Sequence, residues 1–149
     1  MSDVPDINAL LRARLPAGVP LQIPPPCLVD MQGEVLEYIE GQSLRLRFPV
    51  LKRYQNPMGH MQGGFIVAAL DNTLGPFSYL IAPPSVTTAL NTQYLRPVPP
   101  SETHIICTAE LVERTRNQLH LRGEARNGEG KVLTLCQAVC QILPAVSPG

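Results

Sequence analysis

The chain has 149 residues, the usual size of one domain, and its formal net charge is +0. A neutral chain has no general basic face for phosphate binding, which argues against nucleic acid as a partner. The hydrophobic fraction of 44% argues against a disordered chain.

The sequence predicts two helices and six strands, with prolines, glycines or asparagines at most boundaries. In chain order we expect a helix over 5–15, strands over 27–39 and 42–51, a long helix from Gly63 to about Ala82, and strands over 85–96, 102–115, 118–126 and 131–143. Residues 1–26 are interpreted as an N-terminal helix with a proline-rich lead-in, and residues 27–149 as a single domain.

The long helix is apolar on nearly all sides, and such a helix must be surrounded by other elements. An antiparallel sheet of five to six strands wrapped around it meets this requirement, which gives an α+β fold class. Asp71, Asn72 and Pro76 inside the helix favour a buried core helix over a membrane span, so no membrane partner is expected.

The four cysteines are Cys27, Cys107, Cys136 and Cys140, and none forms a C-x-x-C pair. Zinc binding is therefore not expected. We interpret all four as buried, free thiols in a reducing cytoplasm.

Asp71 is an unusual residue in so apolar a helix, because no lysine or arginine lies between Arg53 and Arg96. A buried carboxylate is costly unless it is paired or hydrogen-bonded. Two interpretations stay open. Asp71 faces a hydrated seam and shares hydrogen bonds with Asn72, or it is a catalytic base or nucleophile whose pKa is raised by desolvation.

Gly63 and Gly64 open the same helix, where backbone N–H groups lack partners and the helix dipole is positive. This arrangement suits an oxyanion hole, although helix packing explains a double glycine equally well. Asp71 follows about two turns later. We therefore expect a carbonyl bound at Gly63 to have its carbon near the carboxylate.

Asn56, Gln62-Gly63-Gly64 and Asp71 closely resemble the signature of hotdog-fold acyl-CoA thioesterases of the phenylacetate-pathway (PaaI-like) type, in which an asparagine, a His-Gly-Gly run and an aspartate follow in this order. Residues 87–97 resemble the strand after the central helix of that family, and the resemblance covers roughly residues 30–143. It implies a hotdog fold, in which an antiparallel sheet wraps one central helix.

The resemblance also implies roles for single residues. Asp71 is expected to act as general base or nucleophile, and the Gly63 N–H to polarise the thioester carbonyl. Asn56 is expected to position the water or the acyl group, and Thr87 to place a hydroxyl near the attacking water across a dimer interface. The family implies a homodimer or a dimer of dimers with the site between subunits. It implies no metal and no cofactor, because coenzyme A is part of the substrate.

Gln62 departs from the signature, which has histidine at this position. Glutamine cannot titrate near neutral pH but can still donate a hydrogen bond to a carbonyl. His60 either replaces the missing imidazole or is an exposed loop residue. Arg96 either meets a phosphate of coenzyme A or is an ordinary surface arginine. His60 and Arg96, with Gly64 and Asn72, are the candidates for substrate binding.

The expected function is hydrolysis of a short- or medium-chain, or aromatic, acyl-CoA. Two alternatives remain. One is a non-catalytic acyl-CoA-binding module. The other is an acyl-thioester hydratase or dehydratase, which needs a catalytic histidine paired with a carboxylate.

Overall fold

The computed structural model describes residues 4–18 and 20–144. The helices and strands follow the predicted order, with one additional short helix before the first strand. The elements are α1 (Ile7–Arg14), α2 (Pro26–Asp30), β1 (Glu34–Ile39), β2 (Ser43–Pro49), a 3-10 turn (Lys52–Tyr54), α3 (Gly63–Ile81), β3 (Ser85–Tyr94), β4 (His104–Arg114), β5 (Gln118–Arg126) and β6 (Val132–Ile142).

The six strands form one antiparallel sheet in the order β1-β2-β4-β5-β6-β3. The sheet wraps around α3, which contacts five of the six strands. The predicted α+β hotdog arrangement is therefore confirmed. Strands β1 and β3 lie at the two edges, and β3 is the first element after the central helix.

Alternation along the strands builds the core. In β2, Leu44, Leu46 and Phe48 are buried, while Arg45 and Arg47 between them face outward, because successive side chains of a strand point to opposite faces. These residues belong to the same hydrophobic cluster as the buried face of α3. Within the described ranges, α3 is long and apolar enough to span a membrane, but here it is the core helix of the sheet.

The strand predicted over 27–39 is wrong in its first part, because α2 forms at Pro26–Asp30 and β1 begins only at Glu34. Pro26 occupies the first turn of α2, where its fixed φ and missing N–H are tolerated. Gln32 then adopts a positive φ of 57° and turns the chain. At Gly33 an added Cβ would lie 2.5 Å from Leu28, so the turn needs glycine.

The lead-in packs against α3. Ile7 and Leu11 of α1 are buried in the common core. The Arg14 Nε donates to the Tyr79 carbonyl at 3.1 Å, and Arg12 donates to the Ile23 carbonyl at 2.8 Å. We call residues 15–18 and 20–26, which follow α1, the strap, because they run back along the surface of α3 between the Arg14 contact with Tyr79 and the Cys27 contact with Asn72.

The expectation of four buried thiols is wrong for Cys27, which is exposed on α2. Cys107, Cys136 and Cys140 are buried, since they lie on the helix-facing side of the sheet. All four thiols are free.

Candidate active site

The start of α3 presents unpaired backbone donors. Gln62 is the last extended residue, with φ −63° and ψ 139°, and Gly63 is the first helical one. Within residues 4–18 and 20–144, neither Gly63 nor Gly64 donates its N–H to a protein acceptor, as is usual in the first turn of a helix. These groups lie at the positive end of the helix dipole and suit an oxygen that gains negative charge.

A surface depression of about 350 Å³ surrounds this helix start. We call it the Gly63 half-site; its polar members besides the glycine are Asn56, His60, Tyr94 and Arg96. A Cβ at position 63 would meet the ring and hydroxyl of Tyr94 at 2.8 Å. Glycine is therefore the residue that fits without a shift of the tyrosine.

Asn56 holds the loop that leads into α3. Its Oδ1 accepts hydrogen bonds from the N–H groups of Met58 and His60, each at 3.0 Å. Its own N–H donates to the His60 carbonyl at 2.7 Å. The side-chain oxygen is therefore already used in hydrogen bonds within the loop. The side-chain NH₂ makes no hydrogen bond within the part of the chain that the structure describes, and it is the group that can meet a water or substrate oxygen.

A second and larger cavity, of about 640 Å³, lies between α3 and the strap. We call it the strap groove. Asp71, Asn72, Gly75 and Thr87 line it together with apolar residues of the strap. Asp71 is exposed to this groove in the single chain, so the carboxylate avoids full burial by facing an open cleft.

The carboxylate of Asp71 is nevertheless poorly solvated. The atoms around it hold its pKa above the ordinary value of 3.8 by desolvation. Burial raises the pKa of the Cys136 thiol to about 11, and the negative charge of Asp71 adds to this rise. The pKa of the Cys140 thiol is raised in the same way, by burial first. Asp71 is thus a more basic carboxylate than a free one, beside two thiols that stay protonated.

Thr87 lies in the same groove as Asp71, and its hydroxyl approaches the Cys140 sulfur at 3.8 Å. Asn72 also lines the groove, but its amide is already engaged: the Oδ1 accepts from the Cys27 thiol at 3.3 Å and the Nδ2 donates to the Ala68 carbonyl at 3.0 Å. Asn72 therefore ties α2 to α3, and its role in substrate binding stays a prediction.

Gly63 and Asp71 do not meet within one chain. Asp71 follows Gly63 by eight residues, which corresponds to an axial rise of about 12 Å. The two residues line different cavities. The expectation that a carbonyl bound at Gly63 lies near Asp71 of the same helix is therefore not met within a single chain, because the two residues are separated along the helix axis.

A family model of the thioesterase superfamily matches residues 58–134, which include both Gly63 and Asp71. The chain belongs to the thioesterase superfamily. It is a thioester hydrolase with a hotdog fold, and the resemblance to the PaaI-like type is confirmed. No curated protein matches this sequence significantly.

Several solved structures share the fold. A putative thioesterase from Ralstonia eutropha JMP134, described as phenylacetic acid degradation-related, is 25% identical; the match covers 91% of this chain and 98% of that one, with a TM-score of 0.75. PaaI of Escherichia coli is 16% identical over 82% of this chain and 87% of that one, with a TM-score of 0.76. A variant of the phenylacetic acid degradation protein PaaI from Thermus thermophilus is 23% identical over 80% and 100% of the two chains, with a TM-score of 0.74.

Gln62 of this thioesterase is exposed, and its side chain makes no capping hydrogen bond. Its carbonyl accepts the N–H groups of Phe65 and Ile66 in the first turn of α3. His60 is half-buried in the Gly63 half-site. The structure thus places an imidazole in the same depression as Gly63, while the Gln62 side chain extends to solvent at the helix entrance.

Sequence reasoning missed two parts of this thioesterase site. The first is Tyr94, whose ring covers Gly63 and whose pKa is raised by desolvation. The second is the strap, which forms one wall of the groove that contains Asp71. Tyr94 lay inside the matched segment 87–97, so close inspection of that strand would have found it. No local pattern in the strap indicated that it folds back onto α3.

Proposed function

We propose that this thioesterase hydrolyses acyl-CoA, with a short- or medium-chain or an aromatic acyl group, and that Asp71 is its general base or nucleophile. The observation that carries the proposal is the position of Asp71. Asp71 is the one charged residue among the described residues that line a largely apolar cleft, and desolvation raises its pKa. A carboxylate of this kind is a better base near neutral pH than a free one.

As a general base, Asp71 takes a proton from water while the water oxygen attacks the thioester carbon. The carbonyl oxygen becomes an oxyanion that accepts hydrogen bonds from the Gly63 N–H. The intermediate collapses, the carbon–sulfur bond breaks, and the thiolate of coenzyme A takes the proton from Asp71. As a nucleophile, the carboxylate attacks the same carbon, expels the thiolate and forms an anhydride that water then hydrolyses. Both routes release a carboxylic acid and free coenzyme A.

A homodimer joined at β3 would supply both halves of the site. Strand β3 pairs only with β6 within the described chain, and most of its residues are exposed. An exposed strand edge is a template for pairing with a second strand. Val86 and Tyr94, near the two ends of β3, are 47% and 52% exposed.

The direction of β3 supports this assembly. Thr87, near its start, lies in the groove with Asp71, and Tyr94, at its end, covers Gly63. In a two-fold contact the strand runs antiparallel to its copy, so the start of one β3 lies beside the end of the other. Asp71 of one chain then faces the partner's Gly63.

The remaining candidates fit this scheme without a metal or a further cofactor. Arg96 donates to the Val132 carbonyl at 2.6 Å and is exposed at the rim of the Gly63 half-site. Its other N–H groups suit a phosphate of coenzyme A. The Asn56 NH₂ suits the attacking water or the acyl oxygen. Coenzyme A thioesters and four free thiols are compatible with a cytoplasmic enzyme.

The test is thiol release from a panel of acyl-CoAs that differ in chain length and include aromatic members. We expect hydrolysis by the wild type and a loss of about 10³-fold in kcat for Asp71→Asn, the middle of the range for a lost general base. Asp30→Asn is the matched control, because Asp30 is an exposed aspartate on α2 that pairs with Arg53. Binding of acyl-CoA without thiol release from any member of the panel would contradict the proposal and support a binding module.

A further inference from the structure

We propose that the strap groove is the acyl-binding pocket, that the strap forms its outer wall, and that it takes an uncharged, predominantly apolar acyl group of medium length. This inference rests on the proposed acyl-CoA hydrolysis and adds the part of the substrate that the groove selects.

The two cavities differ in the charge of the residues that line them. In the described lining of the strap groove, Asp71 is the one charged residue, and leucines, an isoleucine and prolines of the strap form most of the opposite wall. The Gly63 half-site contains Arg96 and His60. Coenzyme A is polyanionic and favours the side with the cation, whereas an apolar acyl group favours the side without one. The acyl group therefore extends from Asp71 into the strap groove.

The apolar surface in the groove is incompletely covered in the single chain. Leu21 of the strap is 41% exposed and Val86 at the start of β3 is 47% exposed, and both line the groove. An acyl chain would remove these side chains from water, which is favourable. The volume of about 640 Å³ falls within the range of small-molecule pockets, which is about 300–1,000 Å³.

The groove follows α3 from Asp71 to Tyr79. These residues lie eight apart, so the groove extends about 12 Å along the helix axis. Gly75 lies midway, on the same face as Asp71, because residues four apart in a helix are neighbours on its surface. A Cβ built on Gly75 meets no atom within 4 Å. A side chain at position 75 would therefore fill the groove about halfway along its length.

Gly75→Leu tests the depth of the pocket. We expect kcat/KM for octanoyl-CoA to fall by about 10- to 200-fold, the range for a misfitting hydrophobic group, while kcat/KM for butanoyl-CoA stays near the wild-type value. Ala13→Leu adds the same side chain on the exposed face of α1, outside the described lining, and we expect it to change neither rate. An equal loss for both substrates, or no loss, would overturn the proposal and leave the thioesterase function intact.

A second variant tests the strap itself and does not depend on how Pro76 accommodates a side chain before it. For Leu21→Ala we expect the KM for octanoyl-CoA to rise several-fold with little change in kcat, because apolar contact is lost equally from substrate and transition state. Val29→Ala is the control, since Val29 is 59% exposed on α2 and lies outside the described lining of the groove. An unchanged KM for Leu21→Ala would remove the strap from the pocket.

The charge of the pocket is tested on the wild type with two acyl groups of equal carbon number. Octanoyl-CoA and suberoyl-CoA have the same chain length, but the second ends in a carboxylate. We expect octanoyl-CoA to have at least about ten-fold higher kcat/KM, because no cation is among the described residues that line the groove and a carboxylate there adds to the charge of Asp71. Equal rates would show that the acyl group lies elsewhere. Failure of the wild type to release thiol from any acyl-CoA would instead refute the proposed function.

Discussion

The two halves of the site are built in different ways. The Gly63 half-site consists mainly of backbone: N–H groups of the first helical turn, a loop held by Asn56, and a tyrosine ring packed on a glycine. The Asp71 half is a single side chain in an apolar groove whose outer wall comes from the strap. Backbone donors keep their position and charge at any pH, whereas the basicity of Asp71 depends on the atoms around it. The hydrogen-bonding capacity of the Gly63 half-site is thus fixed by its backbone, whereas the basicity of Asp71 is set by the atoms around it.

The strongest test of this difference is to disable one half of the site in each of two chains and to mix the chains. Gly63→Pro removes an oxyanion donor, and proline is well tolerated at the first position of a helix. We expect Gly63→Pro alone to lose about 10²- to 10³-fold in kcat, and Asp71→Asn alone to lose more. A refolded equal mixture should recover about a quarter of the wild-type activity, because half of the dimers contain one intact site. Thiol release measures this recovery.

Gly63→Ala controls for the volume added near Tyr94, since it keeps the N–H and brings the same Cβ toward the ring. A smaller loss for Gly63→Ala than for Gly63→Pro assigns the difference to the donor. Absence of recovery in the mixture, with dimers verified by sedimentation, would place both halves of each site in one chain.

The pH dependence of the Asp71 half has a defined sign. Desolvation raises the pKa of this carboxylate above 3.8, so the base is lost by protonation as the pH falls through the raised value. We expect kcat/KM to fall on the acidic side at a pH above 3.8, where Asp71 becomes protonated. The backbone N–H groups of the Gly63 half-site do not titrate and add no such fall. A pH profile of octanoyl-CoA hydrolysis measures it, and a limb at or below pH 3.8 would contradict a desolvated base.

The same pKa shift affects stability. A carboxyl group whose pKa is higher in the folded than in the unfolded state destabilises the fold above both values and ceases to do so below the unfolded value. Asp71→Asn should therefore raise the melting temperature at pH 7 and leave it nearly unchanged at low pH. Thermal unfolding at the two pH values accompanies the rate measurement.

The smallest effect is expected at Gln62, beside the Gly63 half-site. Its side chain is exposed and makes no capping bond, so Gln62→Ala leaves the fold and both halves in place. We expect a rate that is reduced by less than about ten-fold, through loss of one hydrogen bond to the carbonyl. Steady-state kinetics with octanoyl-CoA measure it, and an unchanged rate would show that Gln62 is not part of the site.

Periodicity predicted most of the fold. The boundaries of α3 and of β3 to β6 differ from the expected ones by at most a few residues, because a helix apolar on all sides and strands bounded by prolines and glycines leave few alternatives. The first strand was misplaced because Pro26 can open a helix as well as continue an extended chain. Propensity alone does not separate these outcomes.

The site was predictable in its members but not in its arrangement. The signature identified Gly63 and Asp71 as candidates, but the tertiary structure decides which cavity each of them lines. The strap was not predictable, because its position depends on contacts such as Arg14 to the Tyr79 carbonyl, which join residues 65 apart in sequence. Such contacts leave no trace in local composition.

The position of the strap in the sequence differs from that of the proposed reacting groups. It lies before the residues 58–134 that match the family, whereas Gly63, Asp71 and Thr87 all lie within them. Substitutions in the strap reshape one wall of the groove without altering the groups proposed to carry out the reaction. Under the two proposals, the residues that select the acyl group and the residues that react lie in different stretches of the sequence, so we expect substitutions in the strap to change the substrate while the reacting groups remain the same.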